Sequence, residues 1–575
     1  MKEVLVIFKT HLDLGFTDLA ENVLKNYLET YIPNAIKVGY ELKGTDTEFI
    51  WTTGSYLVTQ ALAHDDGTVE RAIRDGIIRW HALPFTTHTE LMNPKLFDYG
   101  VSLSSALDRR FGKKTIAAKM TDVPGHTIGM IPILKRRGVE FLHIGVNPAT
   151  PLPDVPLLFK WRCGNDEITV IYQGDYGTET EIDGTVIYFA HTGDNRGPQS
   201  AEKIVEIFDE IKAKYPGYTI RAATLEDVAQ KLRDVKNLPV VDKEIGDTWI
   251  HGAGTDPKKV SMYRDLLKKT ADFDYEKYDL SNSLLAIPEH TWGKNLDVFF
   301  HNASDYYEKD RQKPHNKEGV EALEQSWIEQ RSYITAAENE LGVKAEYETN
   351  FPDLTGFTDS EPFKLNFSIS WQVYDAWDYE RYKNVYLRFT KENIGWAIWD
   401  NIKQGLPDDY SGKIYDAKPY RFCKNGDKYI VFFKFDDDVT EKFGLPVFTA
   451  EYDGETLFVK WHGKKNLRLP NAFWFKPEGF GEDWLVSKMG LWIDPCDIIG
   501  SPLITATDYG VKNGTAEFES LDAVLAAPFG RRLLDFEPRP KKQDLYFNLY
   551  NNIWNTNFPM WYSDDAVFRF KIKEL

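Results

Sequence analysis

Val4-Leu5-Val6-Ile7-Phe8-Lys9-Thr10-His11-Leu12-Asp13-Leu14-Gly15-Phe16 is the stretch on which the reading of the chain turns. Val4 to Phe8 are its first apolar run and are rich in β-branched residues. A run of that kind reads as a strand buried on both faces of a parallel sheet. His11 and Asp13 follow, two residues apart. On an extended backbone they project from the same side, a few Å from each other. An imidazole and a carboxylate converging at the C-terminal end of a core strand form half of a metal site, where α/β folds place their chemistry. The plainer alternative is that Asp13 caps a following helix and His11 packs in the core.

Outward from this strand, apolar runs and helix-period stretches alternate over the first 240 or so residues. The strand-like runs are Phe49–Trp51, Ile77–Ala82, Ala117–Met120, Phe141–Ile144, Val170–Tyr172, Val186–Ala190 and Ile220–Ala223. The helix-like stretches are Leu19–Leu42, Tyr56–Ala63, Leu96–Arg110, Ile128–Arg137, Ala201–Tyr215 and Leu225–Leu232. This alternation predicts a parallel sheet or barrel whose loops share one face. From about 258 to 345 the strand signal is lost, and Lys259–Asp272 and Val320–Leu341 read as long helices of a bundle of about three elements. From about Phe363 the segments become short, alternating and punctuated by Gly, Asp and Asn, as in Tyr429–Phe435, Pro446–Tyr452, Thr456–Trp461 and Ala516–Phe518. That is a β-sandwich pattern. Pro352–Pro362 and Gly405–Lys413 read as linkers or surface loops. The expected fold class is α/β, with a barrel over 1–257, a helical bundle over 258–350 and β-sandwich over 351–575.

A length of 575 residues exceeds what one core supports and predicts three or four domains. The aromatic content of 14% suits a carbohydrate-active protein, because sugar rings stack on aromatic faces, and suits a large sandwich core equally well. A net charge of −19 argues against nucleic-acid backbones and anionic membrane surfaces as partners. Three widely spaced cysteines, Cys163, Cys423 and Cys496, give neither a disulfide framework nor a Cys-based zinc site. The first residues carry no basic-then-apolar leader pattern, and no apolar run approaches about 18 residues. A soluble cytoplasmic protein is expected, and homo-oligomerisation is left open.

Four further segments carry groups capable of chemistry. Lys119-Met120-Thr121-Asp122-Val123-Pro124-Gly125-His126 joins a short strand to a helix. Asp122 there either starts a turn or completes an open oxygen/nitrogen site with His11 and Asp13. Gly193-Asp194-Asn195-Arg196-Gly197-Pro198 offers a Gly-flanked acid at the end of a strand, and Asp175 in Gly174-Asp175-Tyr176-Gly177 is its rival. Pro288-Glu289-His290-Thr291-Trp292-Gly293 places His290 among residues that weaken a helix. His251 in Trp249-Ile250-His251-Gly252-Ala253-Gly254-Thr255 is another candidate ligand or substrate contact.

In order, spacing and context these segments resemble glycoside hydrolase family 38, the retaining α-mannosidases. His11-Leu12-Asp13-Leu14-Gly15-Phe16 is similar to the family's opening His-x-Asp-x-Gly-Trp. Asp122-Val123-Pro124-Gly125-His126 stands where the family has its Asp-x-Phe-Gly-His nucleophile turn, and Gly193 to Pro198 resembles its glycine-rich acid/base loop. The segments Ala201–Ala223 and Thr224–Asp227 resemble the helix and Thr-Leu strand that follow that loop, and His251 to Asp256 resembles a His-Arg-Gly-Thr-Tyr-Thr segment. Phe16 replaces the family's Trp and Pro124 an aromatic, Asn195 and Arg196 interrupt the glycine run, and His290 is not followed by Asp. The resemblance implies a seven-stranded α/β barrel, a three-helix bundle contributing to the active site and C-terminal β-sandwich.

It also implies a metal-dependent retaining exo-glycosidase for α-linked sugars, with Asp122 as nucleophile and Asp194, or else Asp175, as acid/base. One divalent cation would be held by His11, Asp13, Asp122 and His290, with His251 the second choice for the last ligand. Two nitrogens and two carboxylates suit zinc first and tolerate cobalt, nickel or manganese. His251, His126, His88, Trp51, Glu90 and Asp175 are candidate substrate contacts. Two competing readings are a metal-dependent carbohydrate deacetylase and a non-catalytic sugar-binding protein on a glycosidase scaffold.

Overall fold

Val4 to Phe8 are wholly buried in β1 (Glu3–His11), which hydrogen-bonds along both of its edges. The computed structural model describes residues 2–278, 282–295, 305–500, 503–531, 533 and 544–575. Two units are distinguished. The first comprises Met1–Thr89, Pro94–Lys243 and Pro288–Thr291; the second comprises Glu90–Asn93, Glu244–Ile287 and Trp292–Leu575.

In the first unit the strands after β1 are β2 (Trp51–Gly54), β3 (Ile78–His81), β4 (Ala117–Asp122), β5 (Phe141–Val146), β6 (Leu158–Cys163), β7 (Asp166–Gln173), β8 (Thr180–Ile182), β9 (Thr185–Asp194), β10 (Thr219–Ala222) and β11 (Val240–Val241). Among the described residues they form two sheets. One runs β3-β2-β1-β9-β8 with β10 also on β1, and the other runs β11-β6-β7-β5-β4. β1, β2, β3, β9 and β10 are mutually parallel, as are β4, β5 and β7. The alternation in sequence predicts a parallel sheet or barrel; here the two sheets meet at the Ala82 N–H to Ala117 O bond, 2.9 Å long. The strands predicted from apolar runs are present, except that the one expected at Phe49–Trp51 begins only at Trp51 and runs to Gly54. β6 was not foreseen, because Leu158–Cys163 is half exposed and mixes Lys and Arg with its apolar residues. It pairs antiparallel with β7 across Gly164, whose φ of 58° the turn requires.

The predicted helix Leu19–Leu42 is present in two straight pieces, Ala20–Asn26 and Ile32–Leu42, separated by a wide turn in which Ile32 N–H bonds Tyr27 O. Pro33 has no N–H to return to the preceding turn, and the wider turn absorbs the missing bond. Leu225–Leu232 begins at a capping box: Thr224 Oγ1 accepts from Asp227 N–H while the Asp227 carboxylate accepts from Thr224 N–H. Phe8 packs on Phe49 and on Phe208 of the helix Ala201–Lys214, with ring centroids 5.1 and 6.0 Å away. Phe8→Ala should lower stability by about 3–5 kcal/mol. Denaturant unfolding should show an earlier midpoint with an unchanged slope; an unshifted midpoint would remove β1 from the core.

In the second unit the helices Pro257–Lys269 and Lys317–Leu341 match the two long helices read from the sequence, and they pack on each other. No third long helix lies among the described residues of 258–350. Beyond these, the described strands form a ten-stranded and a six-stranded sheet. Lys428–Lys434, Val447–Tyr452, Thr456–His462 and Ala516–Ser520 are where the alternation placed them. Trp371, Trp461, Phe473, Phe475, Phe547 and Phe570 are buried together, so much of the aromatic excess is core. The expected loops are irregular apart from the short strand Thr358–Asp359 and Lys413, which opens the strand Lys413–Asp416, while Ala376–Tyr386 and Ile394–Asn401 add two helices that no periodicity announced. No described helix is long and apolar enough to cross a membrane.

Candidate metal centre

His11 is the last residue of β1 and Asp122 the last of β4, so both side chains stand at the C-terminal ends of parallel strands. Asp122 adopts φ 83°, a left-handed conformation that costs a non-glycine residue of the order of 1 kcal/mol and clusters at functional positions. His290 arrives from far along the chain. Its segment is tied to the residues after β3, where Thr87 Oγ1 and His88 N–H both donate to Pro288 O at 2.7 and 3.1 Å.

The result is a buried quartet. One ligand-type atom from each of His11, Asp13, Asp122 and His290 lies within 4.8 Å of all the others. His11 Nε2 is 3.1 Å from Asp13 Oδ1 and 3.2 Å from His290 Nε2. His290 Nε2 is also 3.0 Å from Asp13 Oδ1 and 3.3 Å from Asp122 Oδ2. The far edge of each ring is engaged: His290 Nδ1 with Glu289 Oε1 at 2.6 Å, and His11 Nδ1 with Thr121 Oγ1 at 2.7 Å. Thr121 Oγ1 in turn accepts from the buried Lys119 Nζ at 3.1 Å. Held by Nδ1, both imidazoles turn Nε2 toward the same point as two carboxylates, the outer-sphere pattern of metal-binding histidines.

The electrostatics agree with a site built for positive charge. Burial opposes ionisation of Asp13, yet His11 and His290 hold its carboxyl far below the usual range. Asp122 is lowered against burial by His290 and His11. Burial likewise disfavours the charged form of His290, but Glu289, Asp122 and Asp13 raise its pKa well above the ordinary value. Asp13 Oδ2 is buried and has no hydrogen-bond partner among the described residues. A buried carboxylate with one oxygen facing two Nε2 atoms and the other without a partner belongs to a donor set that a divalent cation would satisfy, so these residues fit one.

Asp194, the last residue of β9, is the register partner of His11. Its carboxyl is pushed up to about 7 by burial first, and then by the charges of Asp13 and Asp122. Asp175 has a different occupation: its Oδ1 accepts Gly177 N–H at 2.9 Å and closes a turn. The neighbour that reaches the quartet is Tyr176, which donates to Asp122 Oδ1 and stacks on His11 at 5.5 Å between centroids. Asn147 Nδ2 donates to the same Asp122 oxygen at 3.0 Å. Neither Tyr176 nor Asn147 was picked out from sequence; the signal lay beside Asp175, in the same Gly-flanked pair.

The other sequence candidates fall elsewhere. Trp51 is the register partner of Phe8, whose ring packs on a helix, and so lies on the opposite side of the sheet from Lys9. Glu90 accepts from Lys488 Nζ at 2.8 Å, from Thr505 Oγ1 and Ala506 N–H at 2.9 Å each, and from Asp247 N–H at 3.3 Å, a buried network inside the second unit. His251 also belongs to the second unit, stacked on Trp554 at 5.2 Å with Nδ1 3.1 Å from Thr248 O. His126 and His88 are buried in the first unit and are not members of the quartet.

Residues 253–350 match the model of a family described as a domain of unknown function, DUF5054. No curated protein matches the chain. Among solved structures the chain is similar to an α-mannosidase from Enterococcus faecalis V583, with a TM-score of 0.60 and 8% identity over 100% of this chain and 87% of that one. It is also similar to a protein in glycosyl hydrolase family 38 from Enterococcus faecalis, with a TM-score of 0.53 and 8% identity over 100% of this chain and 86% of the other. At that identity the likeness is one of fold alone.

Proposed function

We propose that this chain, which carries the fold of glycoside hydrolase family 38, is a metal-dependent retaining exo-glycosidase for α-linked sugars, α-mannosidase-like in its chemistry. The observation that carries the reading is the convergence of His11, Asp13, Asp122 and His290 at strand ends. The reading includes the seven-stranded barrel over 1–257, the three-helix bundle over 258–350 and the sandwich beyond 351.

Retention needs one carboxylate to attack the anomeric carbon and one carboxyl to protonate the leaving oxygen and later deprotonate water, about 5–5.5 Å apart. Asp122 suits the first role: it is held ionised, and Tyr176 and Asn147 fix its Oδ1 and so orient the carboxylate. Asp194 suits the second, since a carboxyl raised to about 7 keeps its proton near neutrality. Two nearby carboxyls pushed in opposite directions are what an acid and a nucleophile require. A divalent cation, zinc by preference, held by the quartet would supply a template for sugar hydroxyls and electrostatic stabilisation of the oxocarbenium-like charge.

A panel of aryl α- and β-glycosides, assayed with zinc and after chelation, tests the proposal. Release of phenol from an α-glycoside, lost on chelation and restored by zinc, is the expected result. Release of acetate from acetylated sugars with every glycoside untouched would replace it with the deacetylase reading.

The pH dependence follows from Asp194. An acid raised to about 7 is protonated below that value, so kcat/KM should fall as pH rises through it. Asp194→Asn should remove that limb and slow poor leaving groups by about 10²–10⁴-fold. If Asp175→Asn does this instead, the acid role moves to Asp175.

A further inference from the structure

Asn195 follows the proposed acid Asp194 and occupies φ 48°, a conformation open to glycine and tolerated by asparagine. A glycine would satisfy the backbone there, so the side chain calls for its own explanation. Its side chain is buried, and its oxygen and both hydrogens of its NH₂ are engaged. Oδ1 accepts from Asp13 N–H at 2.9 Å, and Nδ2 donates to Gly15 O at 2.9 Å and to Thr17 Oγ1 at 3.1 Å. The orientation is unambiguous, because a backbone N–H requires the oxygen and a backbone carbonyl requires the NH₂. The Asn195 N–H adds a bond to His11 O at 3.1 Å.

These four bonds fasten the segment from His11 to Thr17, which carries two of the quartet. That segment cannot hold its shape by regular pairing. The register of β1 shifts between Lys9 and His11, Gly15 turns at φ 133° and Phe16 follows at φ 62°. A strained turn persists only where its surroundings over-determine it. Asn195 supplies that constraint from the strand that ends in Asp194.

We propose that Asn195 is a positioning residue that sets where Asp13 stands and couples the metal quartet to the loop of the catalytic acid. The inference rests on the metal-dependent reading of the quartet. Removing the amide strands Asp13 N–H in a buried place and leaves Gly15 O with only the Thr17 N–H at 2.8 Å, so the loop must relax to find another partner for Asp13 N–H. Asp13 Oδ1, which faces both histidines, moves with it.

The test is calorimetric titration of zinc into chelator-treated full-length protein. Asn195→Gly keeps the backbone conformation at no steric cost and deletes the clamp; it should weaken zinc about 10–100-fold, the range found when outer supports of a metal ligand are removed. Asn195→Asp keeps the bond from Asp13 N–H and loses those to Gly15 and Thr17, so its affinity should fall between Asn195→Gly and wild type. Thr17→Ala, which removes only the outermost bond, should stay near wild type. Should Asn195→Gly not fold, Asn195→Asp carries the measurement alone. Asn195→Gly protein, or failing it Asn195→Asp, that binds zinc as tightly as wild type would overturn the proposal. Wild-type protein that binds no zinc would overturn the reading beneath it, and is told apart because it needs no variant.

Discussion

Asp122→Ala should abolish turnover of aryl α-glycosides, lowering kcat by about 10⁴-fold or more while the protein remains folded. β4 ends in Asp122, whose φ of 83° lies in the left-handed region. Tyr176 and Asn147 both donate to its Oδ1, and its Oδ2 faces His290. Contacts at both oxygens hold the carboxylate in one orientation. Truncation removes the attacking oxygen, so a substrate can be bound but not displaced. Because 10⁴-fold corresponds to about 5.5 kcal/mol of transition-state stabilisation, the loss is far larger than a packing defect at a strand end would cause. Circular dichroism should stay close to wild type, and so should the unfolding midpoint when both proteins are compared after chelation, since Asp122 is also one of the proposed cation's ligands. A variant that keeps most of its activity would remove Asp122 from the nucleophile role.

His290→Ala should cost the cation and, with it, a large part of the protein's stability in the presence of zinc. A ligand present at a thousandfold excess over its Kd stabilises the folded state by about 4 kcal/mol, and loss of one of four ligands should abolish nearly all of that. Thermal unfolding with and without zinc measures the difference: a clear rise for wild type, little or none for the variant. The metal-free protein carries its own signature. Burial lowers the pKa of His290, but Glu289, Asp122 and Asp13 outweigh it and raise the value well above normal. The sign follows directly. A base whose pKa is raised on folding contributes stability in full below its unfolded pKa of about 6.5 and loses it as pH rises through the folded value. Chelated wild type should therefore become less stable on the alkaline side, and His290→Ala should lack that slope. An equal zinc-induced shift in wild type and variant would place the metal elsewhere.

Much of this site was legible in the sequence because strand periodicity is short. His11 and Asp13 are two residues apart behind an apolar run, and Asp122 closes another, so each announces itself within its own segment. His290 stands out locally only as a histidine among helix-weakening residues, and its ligand role comes from the family resemblance, because the bonds that seat its segment, from Thr87 and His88, come from about two hundred residues earlier. Glu90 and His251 show the converse. Nothing local says that Glu90 will meet Lys488 and Thr505, or that His251 will stack on Trp554, because those partners lie far along the chain. Tyr176 was hidden by Asp175, an acid being the more conspicuous half of a Gly-flanked pair. Asn195 drew notice as a departure from a glycine run, although its meaning lies in the loop it holds. In the fold, β6 escaped because a half-exposed strand with charged residues lacks an apolar signature.

The central claim is that Asp122 and Asp194 carry out double displacement at an α-linked sugar. Proton NMR of the sugar first released from an aryl α-glycoside, recorded before mutarotation, tests it most directly. The account predicts that the α-anomer appears first and the β-anomer grows in only as the two equilibrate. First appearance of the β-anomer would contradict it, because a single displacement by water would then replace attack by Asp122.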